Sequence, residues 1–154
     1  MMLLDITVFS GHLHPLLVHL PIGFLLLAIL MELLSYSKKF QQLASAVSIV
    51  FLFGFIAAFA SSITGYLLSL AGEYDYHRLT RHQYAGILVT VVAGLLYVMS
   101  TETFTKRIPL NKKVFSAFSI LLFVLISYTG HQGGSLTHGS DYLSINVITE
   151  PRLE

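Results

Sequence analysis

Histidine is the residue type of this chain that is best suited to hold a metal ion or a redox cofactor, and the sequence contains seven. Cysteine is absent, which excludes disulfides, thiolate metal sites and the cysteine attachment of a c-type haem. Any such group is therefore expected to be held by imidazole nitrogens, which are common metal ligands. The histidines occur in three short segments, GHLHPLLVHLP, YHRLTRH and GHQGGSLTHG, and are His12, His14, His19, His77, His82, His131 and His138.

The composition is that of an integral membrane protein. Of the 154 residues, 55% are hydrophobic and only 11% are charged, and the mean hydropathy is +0.74. A soluble domain of this length would carry a larger charged surface. The net charge of +1 gives no reason to expect a nucleic acid as a partner, so the lipid bilayer is the first partner that the sequence predicts.

Four apolar runs predict four membrane-spanning helices, each with about the 20 residues that are needed to cross the hydrocarbon. Short polar connections between the runs predict an all-α, up-down-up-down four-helix bundle. No sequence repeat and no second domain are evident. The predicted spans are residues 15–36, 43–71, 83–101 and 114–131, within a domain at 1–143 that is followed by a polar tail at 144–154.

Charge is distributed unevenly between the two ends of the predicted bundle. The loops at one end carry six lysines and arginines, whereas the other end has three arginines against six carboxylates. Because basic loops stay in the cytoplasm, this asymmetry predicts a bacterial inner-membrane protein with both termini on the periplasmic side. The first residues lack the pattern of a cleaved signal peptide, so the first span is expected to act as an uncleaved anchor.

All seven histidines map to the end that is predicted to be periplasmic. A lone histidine near a helix end is usually solvated or hydrogen-bonded, and this is our interpretation of His12 and His77. A second set converges at or near membrane depth, where ionisable groups are rare and often functional. Its members are His14, His19, His82 and His131.

Small residues recur near these histidines. Four glycines flank His131 and His138, where one glycine would be enough to end a helix, and they would let a planar group approach closely. A stripe of small residues in the second predicted span is more typical of helix packing than of a cofactor face. The stripe consists of Gly54, Ala58, Ser61 or Ser62, and Gly65.

Haem b fits this pattern best, because it needs one or two imidazoles from facing helices and a dry slot between them. His19, His82 and His131 are the preferred axial ligands, since they come from three helices at a depth that suits a buried porphyrin. His14 is a further candidate and His138 is a weaker one. The number of candidates allows one or two haems.

Arg78 and Arg81, near the predicted start of the third span, are candidates to bind the haem propionates. The opposite end of the bundle has no histidine, so a complete electron relay across the bilayer within one chain is not expected. Electron exchange at the periplasmic face is the expected activity, which favours an electron-transfer component over a stand-alone enzyme.

A zinc or copper ion bound by histidines is the main alternative, with Glu73, Asp75 or Asp141 as additional ligands. The spacing lacks a signature such as H-x-x-x-H on one helix face. A third interpretation is a cofactor-free membrane anchor or assembly subunit, whose histidines make interfacial hydrogen bonds.

The segments HPLLVHLPIG, RHQYAGI and GHQGGSLTHGSDYL resemble the bacterial membrane domain of unknown function 2231, in the version found ahead of periplasmic c-type cytochrome domains in Bacteroidetes and Planctomycetes. The resemblance implies a redox setting, with a periplasmic c-type cytochrome or another redox domain as partner. Quinol is a further candidate partner for electron exchange at the periplasmic face, and assembly into an oligomer or a larger complex is left open by the sequence. The family pattern matches His14, His19, His82, His131 and His138.

Overall fold

A computed structural model describes residues 8–108 and 111–139, and all of the regular structure in these ranges is helical. Four of these helices are long and apolar enough to cross a membrane. The all-α membrane fold that the sequence predicts is therefore confirmed. We name these helices the first to fourth spans, and their bounds are Val8–Ser35, Lys38–Ser69, Tyr76–Ser100 and Lys112–His138.

All four spans extend beyond the apolar runs that predict them, at one end or at both. The first begins at Val8 and not at 15, the third begins at Tyr76 and not at 83, and the fourth continues through His138. Hydropathy detects only apolar residues, so it does not detect polar turns that continue a helix. The predicted tail at 144–154 lies outside the described residues.

Side-chain caps explain where two of these spans begin. Asp75 accepts a hydrogen bond from the backbone N–H of Arg78 at 2.8 Å, at the start of the third span. Asn111 accepts one from the N–H of Lys113 at 2.9 Å, at the start of the fourth. Such caps satisfy backbone donors that have no partner within the helix. Each polar first turn is therefore stable without apolar side chains.

Two prolines shape the start of the first span. A single turn residue interrupts the regular helix at Leu13 and again at Val18. Pro15 and Pro21 each lie in the first turn of the helical segment that follows one of these interruptions. Proline is tolerated there because the backbone N–H of a first turn has no partner within the helix. The resulting segments are residues 8–12, His14–Leu17 and His19–Ser35.

Consecutive spans pack against each other along their length, whereas the first and fourth spans have few contacts. Leu25, Phe51, Leu96 and Leu122 form the completely buried centre of the apolar core. The seam between the first and fourth spans is open and contains a groove of about 450 Å³. This groove is lined by Leu26, Ile29, Leu30, Leu33, Ile120 and Phe123.

Large apolar side chains also cover the outside of the spans. Phe53, Phe59 and Ile120 each expose half or more of their surface. A soluble monomer does not usually expose apolar area on this scale. This surface is suited to lipid acyl chains, as the membrane fold requires.

The two ends of the structure differ in their chemistry. One end contains the 3-10 helix Lys38–Leu43 and the short helix Glu102–Arg107, and we call it the lysine-rich end. The other end contains the starts of the first and third spans and the ends of the second and fourth. We call it the histidine-rich end.

We expect Gly54→Ala to destabilise the fold, because the added methyl group would overlap the side chain of Leu25. Overpacking of this kind costs about 1–3 kcal/mol, so the midpoint of thermal unfolding in detergent should fall. Gly23→Ala is the matched control, since nothing lies within 4 Å of its added carbon. A midpoint that does not change with Gly54→Ala would contradict the close packing of the first two spans.

Candidate cofactor site

Two of the seven histidines face each other between the first and third spans. The ring centres of His14 and His82 are 6.2 Å apart, and the ring planes are nearly perpendicular, at 82°. Both side chains are half-buried. The histidine-rich end therefore brings two imidazoles together across the bundle.

Each of these rings is held by a backbone carbonyl of the next span along the chain. Nδ1 of His14 lies 2.9 Å from the carbonyl oxygen of Ser61, and Nδ1 of His82 lies 3.1 Å from that of Thr129. A carbonyl oxygen only accepts, so Nδ1 carries the proton in both rings and Nε2 keeps its lone pair. Metal-bound histidines have this arrangement, with the second ring nitrogen donating to a carbonyl or carboxylate.

Glycines allow the rings to approach the spans that hold them. At Gly65, a Cβ atom would lie 2.8 Å from Cε1 of His14. At Gly133, a Cβ atom would lie 3.0 Å from Cε1 of His82. A side chain at either position would push the imidazole away from its carbonyl, so close approach requires glycine.

The two histidines have equivalent settings along the chain. Each binds the carbonyl of the residue 47 positions ahead of it. In both cases the glycine in contact with the ring lies one helical turn beyond that carbonyl. A shift of 68 positions, from His14 to His82, therefore relates the first two spans to the last two.

The same shift relates positions in the core. Leu25 is equivalent to Ala93, and Gly54 is equivalent to Leu122; all four are buried. On the first two spans, the large residue is Leu25 on the first span, and it contacts the small Gly54 on the second. On the last two spans the sizes are exchanged: the small residue is Ala93 on the third span and the large one is Leu122 on the fourth. The structure thus contains two equivalent helical hairpins that contribute one histidine each, although no repeat is evident in the sequence.

The other predicted ligands lie elsewhere at this end. His19 is exposed, and its Nδ1 lies 3.3 Å from a carbonyl of its own span. His131 and His138 are also exposed, in the last turns of the fourth span. The preference for His19 and His131 as axial ligands stays a prediction, but the rings that the structure brings together are those of His14 and His82.

The two arginines and the other two histidines of this end differ in exposure. Arg78 is half-buried and lies one helical turn before His82, whereas Arg81 is exposed. His12 and His77 are exposed as well, as expected for interfacial residues. Arg78 is therefore the cation that is best placed beside the histidine pair.

Ser61 and Thr129 contribute to this site through their backbone, and sequence reasoning does not identify such residues. The small-residue stripe includes Ser61 and Gly65, but it does not show that they contact a histidine. The hydroxyl of Ser61 is buried and has no hydrogen-bond partner among the described residues. A buried polar atom without a partner is available to a bound group beside the pair.

The donor set at this end is small. Within residues 8–108 and 111–139, no three histidine or carboxylate side chains are close enough to bind a metal ion together. The facing imidazoles are thus two donors without a third. This limits the groups that the site can hold.

The sequence matches a family of predicted membrane proteins, DUF2231, over residues 11–141. The chain belongs to the DUF2231 family. Both facing histidines of this DUF2231 protein lie within the matched region. Comparisons with curated proteins and with solved structures give no match. The activity of this DUF2231 protein must therefore be argued from its site.

We expect both facing histidines of the DUF2231 protein to be protonated at Nδ1 in a bilayer, because the partner atoms are carbonyl oxygens. Solid-state nitrogen NMR of isotope-labelled histidine should show this tautomer for the rings of His14 and His82. One signal should disappear in His14→Ala and the other in His82→Ala. A ring that is protonated only at Nε2 would contradict the hydrogen bond.

We also expect Gly133→Ala to change the nitrogen NMR signal of His82, since the added methyl group would displace the ring from the carbonyl of Thr129. Gly130→Ala, in the same span, is the matched control, because nothing lies within 4 Å of its added carbon. Equal spectra for the two alanine variants would contradict the close contact between Gly133 and His82.

Proposed function

We propose that this protein is a membrane electron-transfer subunit of the cytochrome b type, with one haem held between His14 and His82. The observation that carries the proposal is the pair of facing imidazoles, in which each Nδ1 is bound to a carbonyl and each Nε2 keeps its lone pair. Because both rings have equivalent settings, His14 and His82 would hold the haem together.

The chemistry of the donor set favours haem over a small metal ion. The porphyrin supplies most of the ligands to haem iron, which needs only one or two more. Zinc sites usually have three or four protein ligands, and the described residues do not supply such a group. The ring centres of His14 and His82 are 6.2 Å apart, so both imidazoles would be close enough to hold one group between them.

When bound, haem supplies a one-electron couple. The residues of this chain determine how it is held. The carbonyls of Ser61 and Thr129 fix the tautomer and the orientation of the two rings, which makes each Nε2 a better ligand. We assign the binding of the propionates to Arg78, one turn before His82, and to Arg81 at the surface.

The distribution of charge supports an orientation in the bacterial inner membrane with the histidine-rich end in the periplasm. The lysine-rich end carries six of the nine lysines and arginines, and such loops stay in the cytoplasm. The haem would then lie near the periplasmic surface, where a c-type cytochrome, another redox domain or quinol would exchange electrons with it. No histidine lies at the lysine-rich end, so the exchange takes place on one side of the membrane.

Purified protein from haem-replete cells should show a Soret band and, after reduction, the visible bands of a six-coordinate b-type haem. His14→Ala and His82→Ala should each lose most of this haem, because a single axial ligand would remain. His19→Ala and His77→Ala are matched controls, since their rings are exposed. Both controls should keep the spectrum of the wild type.

Metal analysis of the same samples distinguishes the alternatives. A colourless protein with stoichiometric zinc or copper would assign the pair to a small metal ion. A protein without haem or metal would support the role of an anchor or assembly subunit. Loss of haem in His19→Ala and His131→Ala, but not in His14→Ala, would move the axial ligands away from the facing pair.

The absence of cysteine allows the orientation to be tested with single introduced cysteines. Glu73→Cys lies at the histidine-rich end and Ser37→Cys at the lysine-rich end, and both positions are exposed. In intact cells, a membrane-impermeant thiol reagent should label only Glu73→Cys; Ser37→Cys should react after permeabilisation. The reverse pattern would place the site on the cytoplasmic side and exclude a periplasmic partner.

A further inference from the structure

A buried carboxyl lies at the opposite end of the bundle from the histidine pair. Glu32, in the last turn of the first span, exposes only 4% of its surface. Its Oε1 accepts hydrogen bonds from the hydroxyl of Tyr36 and from Oγ of Ser116 at 3.1 Å. These two hydroxyl oxygens are 2.9 Å apart. The three side chains connect the first and fourth spans, whose seam is otherwise open.

The second oxygen of this carboxyl lacks a comparable contact. Oε2 of Glu32 is buried and has no hydrogen-bond partner among the described residues, and no ion pair forms there within the same ranges. A connection between two spans needs only one acceptor oxygen, which a glutamine would also supply. A buried carboxylate without a cation is costly, and ionisable groups inside membrane spans commonly have a function.

Tyr36 contacts this carboxyl and is itself partly exposed at the lysine-rich end. Its side chain is 41% exposed, while its hydroxyl donates to Glu32. Burial, followed by the hydrogen bond to Glu32, raises the pKa of Tyr36 to about 12. The tyrosine therefore keeps its proton at neutral pH and remains a hydrogen-bond donor.

The groups around this carboxyl do not include another acid. The amino group of Lys112 lies over the ring of Tyr36, 5.4 Å from the ring centroid. The third span contains no aspartate or glutamate, and Glu102, which follows that span, is exposed and paired with Lys106. The other titratable groups at the lysine-rich end are Tyr36, Lys38, Lys39, Tyr97, Glu102, Lys106, Arg107, Lys112 and Lys113.

We propose that Glu32 is a proton-binding site that exchanges protons with the water at the lysine-rich end through Tyr36. On uptake, Tyr36 gives its hydroxyl proton to the carboxylate and takes one from a hydronium ion, which becomes water, so the tyrosine ends neutral and no other bond changes. Protonation removes the buried negative charge. Glu32 is 18 residues from His14 in sequence, or about 27 Å along a helix. The inference therefore does not rest on the proposed haem.

Infrared difference spectroscopy of the full chain in lipid nanodiscs, between basic and acidic buffer, tests this proposal. On acidification the wild type should gain the high-frequency carbonyl band of a buried carboxylic acid, and the band should shift in heavy water. Glu32→Gln should lack the band, because an amide does not titrate in this range. Glu102→Gln is the matched control and should keep it, because Glu102 is exposed.

Tyr36→Phe provides a second variant that leaves the carboxyl in place. It should move the band to higher frequency, because a hydrogen bond to the carboxyl is lost, and it should slow exchange with heavy water. Tyr97→Phe is its control, since Tyr97 is half-buried against the core of the third span. This pair of variants tests the proposal even if Glu32→Gln does not fold, as judged by circular dichroism.

Three results would overturn the proposal: no titrating high-frequency band in the wild type, the same band in Glu32→Gln, or equal spectra for Tyr36→Phe and Tyr97→Phe. None of these measurements depends on a bound haem. Failure of the haem site would appear in the visible spectrum, so the two proposals can fail independently.

Discussion

The hydrogen bonds from two imidazole Nδ1 atoms to backbone carbonyls are the interaction on which the histidine-rich end depends. A half-buried imidazole must donate its N–H within the bundle, because an unpaired donor there would lose its hydrogen bonds to water without replacement. The carbonyls of Ser61 and Thr129 accept these bonds. An imidazole can reach a carbonyl within a helix only if the ring lies against the helix backbone. A side chain one turn beyond that carbonyl would block the ring, so the residue there is a glycine. This constraint links the position of each histidine to that of the glycine that contacts it.

The two hairpins hold their histidines in equivalent ways, but their two seams differ. Between the second and third spans, the ring of Phe55 packs so closely on Gly94 that a Cβ atom there would be 3.1 Å away. At the other seam the equivalent residues are Phe123 and Leu26, and both line the open groove. At the closed seam, the ring of Phe55 fits against the backbone at Gly94. At the open seam, Leu26 stands where the glycine would be, and its side chain and Phe123 together hold the first and fourth spans apart. The hydrogen-bonded carboxyl at the lysine-rich end then connects these two spans.

Among the described residues, the charged and histidine side chains lie near the ends of the bundle, and the buried core between them is apolar apart from hydroxyl groups such as those of Thr90 and Ser119. Leu25, Phe51 and Leu96 are fully buried between the two ends. The proposed electron site and the proposed proton site therefore do not share a contact, and each end can be changed without altering the other. Such a division is expected in a bilayer, where polar side chains at mid-depth are costly unless they are paired.

The sequence by itself determined the class of protein: four apolar runs, few charges and a basic bias at one end predict a four-span membrane protein, and the topology places every histidine at the other end. It did not determine which histidines meet. His14 and His19 belong to the same short segment, and the predicted membrane depth favoured His19. Backbone carbonyls such as that of Thr129 have no signature in a sequence, and the relation between the two hairpins is hidden because Leu25 and Gly54 exchange sizes with their equivalents. Only the tertiary structure decided that His14 faces His82, since this depends on the rotation of each helix about its axis, which is set by the packing of all the spans together.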